Sequence, residues 1–289
     1  MPDQLASGIL KRTGIRWVIA LTSELSKDAR DLHHAKEAAA LILAQGLTAA
    51  ALYSSLNKEK ARVHLQLECD GPLRGLFVDT DGEGTIRGYV KNSDVEFQGA
   101  SAEYRFRPIF GNKGFLSVLR DLGHGEFYRS SVELVHFDLT RDLEHYLATS
   151  EQVASSLALE TVPSDKEPLD KVAGLLLQSL PGESPPEPID VGAFREAIGV
   201  EPLTAASLAH RLWPSEETEV FSRYPLVYQC GCSKERVVRA LIALGPSELE
   251  DILIKEGKVE ATCEFCMTLY VVSGEEIRAL LAQLAADKS

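Results

Sequence analysis

The sequence predicts an α+β protein in three parts: an N-terminal mixed-sheet domain with packed helices over 1–181, a helical linker over 182–224, and a small C-terminal domain over 225–289 built on four cysteines. Three observations carry this expectation. Runs of period-two apolar alternation and of helical spacing follow one another as far as Leu180. The string Pro181-Gly-Glu-Ser-Pro-Pro-Glu-Pro188 then changes the composition abruptly and reads as a linker. Beyond it, Cys230-x-Cys232 and Cys263-x-x-Cys266 account for four of the five cysteines of the chain.

In order, Ile15 to Leu21 alternates as a strand. A helical segment is expected from about Ser26, a cap candidate with Asp28 in the first turn, to Leu56. Ala35, Ala38, Ala39, Ile42 and Leu43 form its packing face, and Gly46 is the expected break. His33 and His34 are adjacent, point in different directions on a helix, and read as surface residues. Val63 to Cys69, Leu73 to Val78 and Thr85 to Val90 read as strands, joined by Gly71-Pro72 and by a turn at Asp79-Thr-Asp-Gly-Glu-Gly84. That last string lacks the remainder of a twelve-residue calcium loop, so a hairpin turn accounts for it better. Gly114 to Arg120 and Glu126 to Val135 form another strand pair around 121–125. Leu139 to Gln152 is helical with Leu143, Tyr146 and Leu147 on one face, and Val153 to Leu159 and Val172 to Leu180 are the last strands. Cys69, far from the other four cysteines, reads as a small buried hydrophobe.

In the linker, Val191 to Ile198 and Ala205 to Leu212 are short amphipathic helices interrupted by Gly199, Pro202 and Pro214. They are too thin to hold a core and must lean on a neighbour. In the terminal part, helices are expected at Glu235 to Leu244, at Glu248 to Glu256 capped by Ser247, and from Gly274 to Ala286. Short strands at Val259 to Ala261 and Thr268 to Val272 flank the second cysteine pair. A unit this small usually needs a metal or a disulfide.

Two close cysteine pairs can offer four thiolates to one tetrahedral Zn²⁺, and each pair is also short enough to close on itself as a disulfide. Four sulfurs leave no open coordination position, which argues against a hydrolytic metal centre. The net charge of −13 disfavours nucleic acid as a partner. The stretch 226–273 by itself carries five basic and seven acidic residues, a balance of −2. No apolar run of about 18 residues is apparent, so no membrane span is expected. The N-terminus lacks the order of a secretory signal, so a cytoplasmic protein is expected, where reduced thiols favour metal or redox-sensing roles.

With these residues in view, the chain resembles the heat-shock protein 33 family. Cys230-Gly-Cys-Ser-Lys-Glu-Arg, Leu249-Glu-Asp-Ile-Leu, Glu256-Gly-Lys-Val-Glu and Cys263-Glu-Phe-Cys with Tyr270 four places on carry the resemblance in the terminal part. Upstream it is carried by Gly71-Pro-Leu, Gly111-Asn, Gly114-Phe-Leu, Tyr128-Arg-Ser, His145-Tyr, Ser150-Glu-Gln and Gly174-Leu-Leu-Leu-Gln-Ser-Leu-Pro181. One departure is Met267, where the family usually has glycine.

The resemblance implies a redox-regulated, ATP-independent holdase chaperone of the cytoplasm, not an enzyme. Its reduced form would hold one Zn²⁺ on Cys230, Cys232, Cys263 and Cys266 and be inactive. Oxidation would pair Cys230 with Cys232 and Cys263 with Cys266, the second pair first. The metal would be released, the terminal domain and linker would unfold, and unfolding client proteins would be bound by an activated homodimer. Two other readings of the residues stand beside this one. A thiol–disulfide oxidoreductase would place its Cys-x-x-Cys at a helix start in a βαβ setting, whereas the residues after Cys266 look like a strand. A constitutive zinc-ribbon interaction module would bind its partner alike in reduced and oxidised form.

Overall fold

The computed structural model describes residues 2–57, 61–97, 106–123, 125–179, 184–215 and 217–286. His124, in the expected turn at 121–125, and 180–183, where the last strand was expected to end and the linker to begin, lie outside the described residues. The chain forms two compact units, Met1–Gln229 and Cys230–Ser289.

The first unit contains, in order, β1 (Gln4–Leu10), β2 (Ile15–Leu21), α1 (Ser23–His33), α2 (Glu37–Ser54), β3 (Arg62–Cys69), β4 (Gly75–Thr80) and β5 (Thr85–Val90). It continues with α3 (Arg107–Phe110), β6 (Gly114–Asp121), β7 (Phe127–Glu133), α4 (Leu139–Thr149), β8 (Ser155–Val162) and β9 (Lys171–Gln178). It closes with α5 (Val191–Gly199), α6 (Ala205–Leu212), β10 (Thr218–Pro225) and β11 (Val227–Tyr228). Two sheets result, one of five strands in the order β10-β1-β2-β9-β8 and one of six in the order β11-β5-β4-β3-β6-β7. Every pairing is antiparallel except β11 on β5, which is parallel and makes the second sheet mixed.

Helix α2 explains how the sheets share a core. All of its residues except Glu37 and Gln45 are buried, because it packs against β2 and β9 of one sheet and β3, β4 and β5 of the other. A helix enclosed on every side is apolar all round. It is therefore long and apolar enough, at 18 residues and a mean hydropathy of 1.2, to pass for a membrane span by composition, which the sequence reading had not anticipated. Its burial inside the protein accounts for that character. Gly46 does not break it, because Leu76 packs where a side chain at 46 would project. The break falls instead at His34, whose left-handed backbone (φ 49°) ends α1. Ser26 lies buried within α1 and does not cap it; Asp3 does, accepting the amides of Glu24 (3.1 Å) and Leu25 (2.6 Å).

The five-stranded sheet has two apolar faces, as period-two alternation of buried residues requires. Val18, Ala20, Leu157, Leu159 and Leu176 join the α2 core. Trp17, Ile19, Ala173, Leu175 and Leu177 point the other way and are covered by Phe194 and Ile198 of α5 and by Ala205, Leu208 and Ala209 of α6. The two short helices thus lean on this sheet. Trp17 and Trp213 meet there at 6.3 Å between rings.

Neither β1 nor β10 is visible in the sequence. The two pair across a bulge between Ser7 and Gly8, and a side chain at Gly8 would strike Glu219 O at 2.1 Å and the Trp17 ring at 2.6 Å. β11 is not among the expected strands either; the rest follow the sequence to within a few residues, and β2, β5, α6 and the last helix (Gly274–Ala286) match it at both ends. The turn before β5 is held by Asp81, which accepts the amides of Glu83 and Thr85, as a hairpin requires. Cys69 is half-buried at the end of β3 and packs against the main core, where burial raises its thiol pKa.

The second unit contains α7 (Lys234–Leu244), α8 (Pro246–Lys255), the antiparallel hairpin β12 (Lys258–Thr262) with β13 (Leu269–Ser273), and α9 (Gly274–Ala286). Pro246 opens α8 after Gly245, so Ser247 lies inside the helix and is not its cap. Among the described residues, its buried apolar side chains are Leu241, Leu249, Val272 and Ile277.

Candidate metal centre

The four cysteines of the second unit come together. Cys230 and Cys232 lie in the stretch that leads into α7, and Cys263 and Cys266 occupy the turn between β12 and β13. The chain reaches the first pair from β11, which is anchored in the first unit. There Tyr228 donates its hydroxyl to Gly88 O at 2.8 Å, and its oxygen lies 3.1 Å from His33 Nε2. His33, expected at the surface without a role, is part of this anchor.

The turn that carries the second pair is closed by two backbone bonds, Cys263 N to Thr268 O (3.0 Å) and Met267 N to Cys263 O (2.8 Å). Met267 itself adopts φ 54°. That left-handed conformation is comfortable for glycine and costs other residues about 1–2 kcal/mol. It is the physical reason a glycine suits this position, and the chain accepts methionine there at some strain.

The four sulfurs all lie within 4.8 Å of one another. Cys230 Sγ is 3.8 Å from Cys263 Sγ, and Cys232 Sγ is 3.1 Å from Cys266 Sγ. A tetrahedral ion with metal–sulfur bonds of about 2.3 Å sets sulfur–sulfur edges of about 3.8 Å. The donor set therefore fits one metal ion held by all four residues. Because all the separations are short, distance alone selects no disulfide pairing.

Hydroxyl groups border two of the sulfurs. Tyr270 Oη lies 3.0 Å from Cys232 Sγ, and Thr268 Oγ1 lies 3.2 Å from Cys266 Sγ. Burial, together with the neighbouring thiols, pushes Cys232 up to about 12 against the opposing pull of Tyr270. Burial also pushes Cys266 up, but Thr268 and the Cys232 thiol outweigh it and bring that residue down to about 6. Cys263 is raised, first by burial. Tyr270 is raised to about 12, first by its hydrogen bond to Cys232. A thiolate at Cys266 near neutral pH is a nucleophile and a metal ligand at once.

The Cys263–Cys266 pair sits in a β-hairpin turn, not at the start of a helix after a strand. That is not the setting in which a Cys-x-x-Cys pair gains its oxidoreductase character. Among the described residues no other group of His, Cys, Asp or Glu is arranged to hold a metal ion. The spacing in the sequence picks out the same four cysteines that the structure brings together. Neither Tyr270 nor Thr268 carries an expected role from the sequence. The available signal is that Thr268 and Tyr270 stand two apart in the alternating stretch after the second cysteine pair, which predicts one shared face.

Comparison with known proteins agrees with this arrangement. The family model described as Hsp33 protein matches residues 3–273. The 33 kDa chaperonin of Gloeobacter violaceus is 36% identical, the alignment covering 100% of this chain and 98% of that protein. That of a Picosynechococcus strain is also 36% identical, with 99% of each chain covered. The crystal structure of the 33 kDa chaperonin from Thermotoga maritima superposes with a TM-score of 0.82 at 29% identity, over 99% of this chain and 100% of that one. With the family model and these relatives spanning almost its entire length, the chain belongs to the Hsp33 family of chaperonins.

Proposed function

We propose that this chain is a redox-regulated, ATP-independent holdase, silent while reduced and zinc-bound and active once its four cysteines are oxidised. The observation that carries the reading is the pairing of a four-sulfur site with a very small core. Among the described residues, Leu241, Leu249, Val272 and Ile277 are the buried apolar side chains of the second unit, and the four cysteines around one point are what it has instead of a larger interior. Bound Zn²⁺ supplies apparent folding free energy of about 10–16 kcal/mol to such a unit. An unassisted core of this size supplies about 3–5 kcal/mol.

Oxidation removes the ligands. A cysteine thiolate attacks peroxide, taking one oxygen as sulfenic acid and releasing hydroxide; a neighbouring thiol then displaces that oxygen as water and closes the disulfide. Each disulfide consumes one peroxide and gives up two electrons. Following the resemblance, the pairs are Cys263 with Cys266, formed first, and Cys230 with Cys232. Disulfides across one or two intervening residues are strained and readily reduced, so cytosolic thiols reset the switch.

Unfolding of the second unit passes along the chain into β11, β10, α6 and α5, the segment 182–224 acting as the functional linker. What α5 and α6 give up is the sheet face of Trp17, Ile19, Leu175 and Leu177, a contiguous apolar surface for unfolding clients. In this reading the protein works in the cytoplasm, dimerises when active, and engages neither nucleic acid nor membranes. Its action is binding, with no turnover.

The test is peroxide treatment at mild heat, following zinc release, free thiols and the light scattering of a thermally unfolding client. Zinc leaving in step with thiol loss and with suppressed scattering is expected. Full thiol oxidation that leaves scattering unchanged refutes the chaperone switch.

A further inference from the structure

We propose that Tyr270 is a positioning residue of the cysteine switch, its hydroxyl holding Cys232 in place and delaying oxidation of the Cys230–Cys232 pair. The inference rests on the redox reading above and deepens it. Tyr270 lies on β13, in register opposite Ala261 of β12, so its backbone is fixed by the ladder. Its Oη reaches 3.0 Å from Cys232 Sγ. The bond therefore runs from the hairpin that carries the second cysteine pair to a sulfur of the first. Thr268, by contrast, touches Cys266 from within the same turn, 3.2 Å away and two residues on.

A hydroxyl donated to a thiolate occupies a sulfur lone pair that would otherwise attack an oxidant, and such charge-assisted bonds are among the stronger ones. Groups that hydrogen-bond metal ligands also orient them, and their loss commonly weakens metal binding at least tenfold. Tyr270 thus does two things through one atom. It points Cys232 toward the other three sulfurs in the reduced state, and it slows the step in which the Cys230–Cys232 pair loses two electrons to peroxide, releasing hydroxide and water as the disulfide forms.

The experiment uses the full chain loaded with Co²⁺ in place of zinc, comparing wild type, Tyr270→Phe, Thr268→Val and a variant with 3-fluorotyrosine placed at 270 alone. In Tyr270→Phe, Co²⁺ affinity is expected to fall about tenfold. The sulfur-to-cobalt charge-transfer band moves to lower energy, because Cys232 becomes the richer donor. Under limiting peroxide, thiol trapping and peptide mapping show the Cys230–Cys232 disulfide forming several-fold sooner. Thr268→Val leaves the timing of that pair unchanged. Fluorotyrosine keeps the hydroxyl and makes it a better donor, so the band moves the other way; a purely structural role for the ring would not produce opposite shifts. If Tyr270→Phe fails to fold, the fluorotyrosine variant still reads the bond. Bands that coincide in wild type and fluorotyrosine variant, or unchanged disulfide timing in folded Tyr270→Phe, overturn the proposal. Failure of the oxidised wild type to protect clients would sink the chaperone reading while leaving the spectral test standing, so the two failures are distinguishable.

Discussion

Replacing Phe194 by alanine should uncouple client binding from oxidation. Phe194 is wholly buried beneath α5, within the cluster formed by Trp17, Ile19, Leu175 and Leu177. Removing a buried phenylalanine side chain costs about 3–5 kcal/mol. The loss falls on a helix of nine residues that, with the eight of α6, forms a thin layer over the sheet, while α2 and the opposite face are untouched. If the layer opens as a unit of its own, its open population rises by a factor of about a hundred to several thousand. Reduced, zinc-loaded Phe194→Ala is therefore expected to suppress client aggregation without oxidant. The only two tryptophans of the chain, Trp17 on the covered sheet face and Trp213 at the end of α6, meet where this layer rests on the sheet, so the same opening appears as a red shift of their fluorescence at full zinc content. A red shift without aggregation suppression would show that the uncovered sheet face is not what clients bind. Loss of the whole first unit in one transition would show that the cover does not open separately.

Two further substitutions probe the strain and the buried charge. Met267→Gly relieves the left-handed backbone at φ 54°, set against the greater freedom glycine has when unfolded. A net gain of about 0.5–1 kcal/mol is expected, read as a higher melting temperature of the reduced second unit and a two- to fivefold (about) tighter metal affinity; an unchanged affinity and melting temperature would contradict the strain argument. Asp3 is raised from 3.8 to about 6 by burial, only partly offset by the amides of Leu25 and Glu24. The folded protein therefore binds that proton more tightly than the unfolded chain, and the contribution of Asp3 to stability grows as pH falls through about 6 and levels off near 4. Asp3→Asn, which cannot ionise and keeps one acceptor oxygen, enough for one of the two amides, should flatten that dependence in urea titrations of the first unit between pH 4 and 7; an unaltered slope would assign it to other groups.

Much of the candidate site could be read from the sequence because its chemistry is local. Two cysteine pairs at short spacing, a linker marked by prolines, and helices bounded by Gly245-Pro246 and Gly257 announce themselves within a few residues. The strands Arg62–Cys69 and Thr85–Val90 were legible for a similar reason: one face of each is buried and the other is not, so alternation shows. Strand β10 gave no such signal because nearly all of it is exposed on both faces, and β1 is interrupted by Ser7 and Gly8 at the bulge. Such strands exist because of their partners, and a partner some two hundred residues away leaves no local trace.

The sequence by itself determined the four paired cysteines, the small terminal unit that contains them, and the family to which they point, because thiol spacing and composition act through neighbours along the chain. Only the tertiary structure decided that α2 is enclosed between two sheets, that α5 and α6 cover the far face of one of them, and that Tyr270 reaches Cys232. Those facts depend on which surfaces meet in space, and burial and hydrogen bonding are set by that meeting rather than by order along the chain.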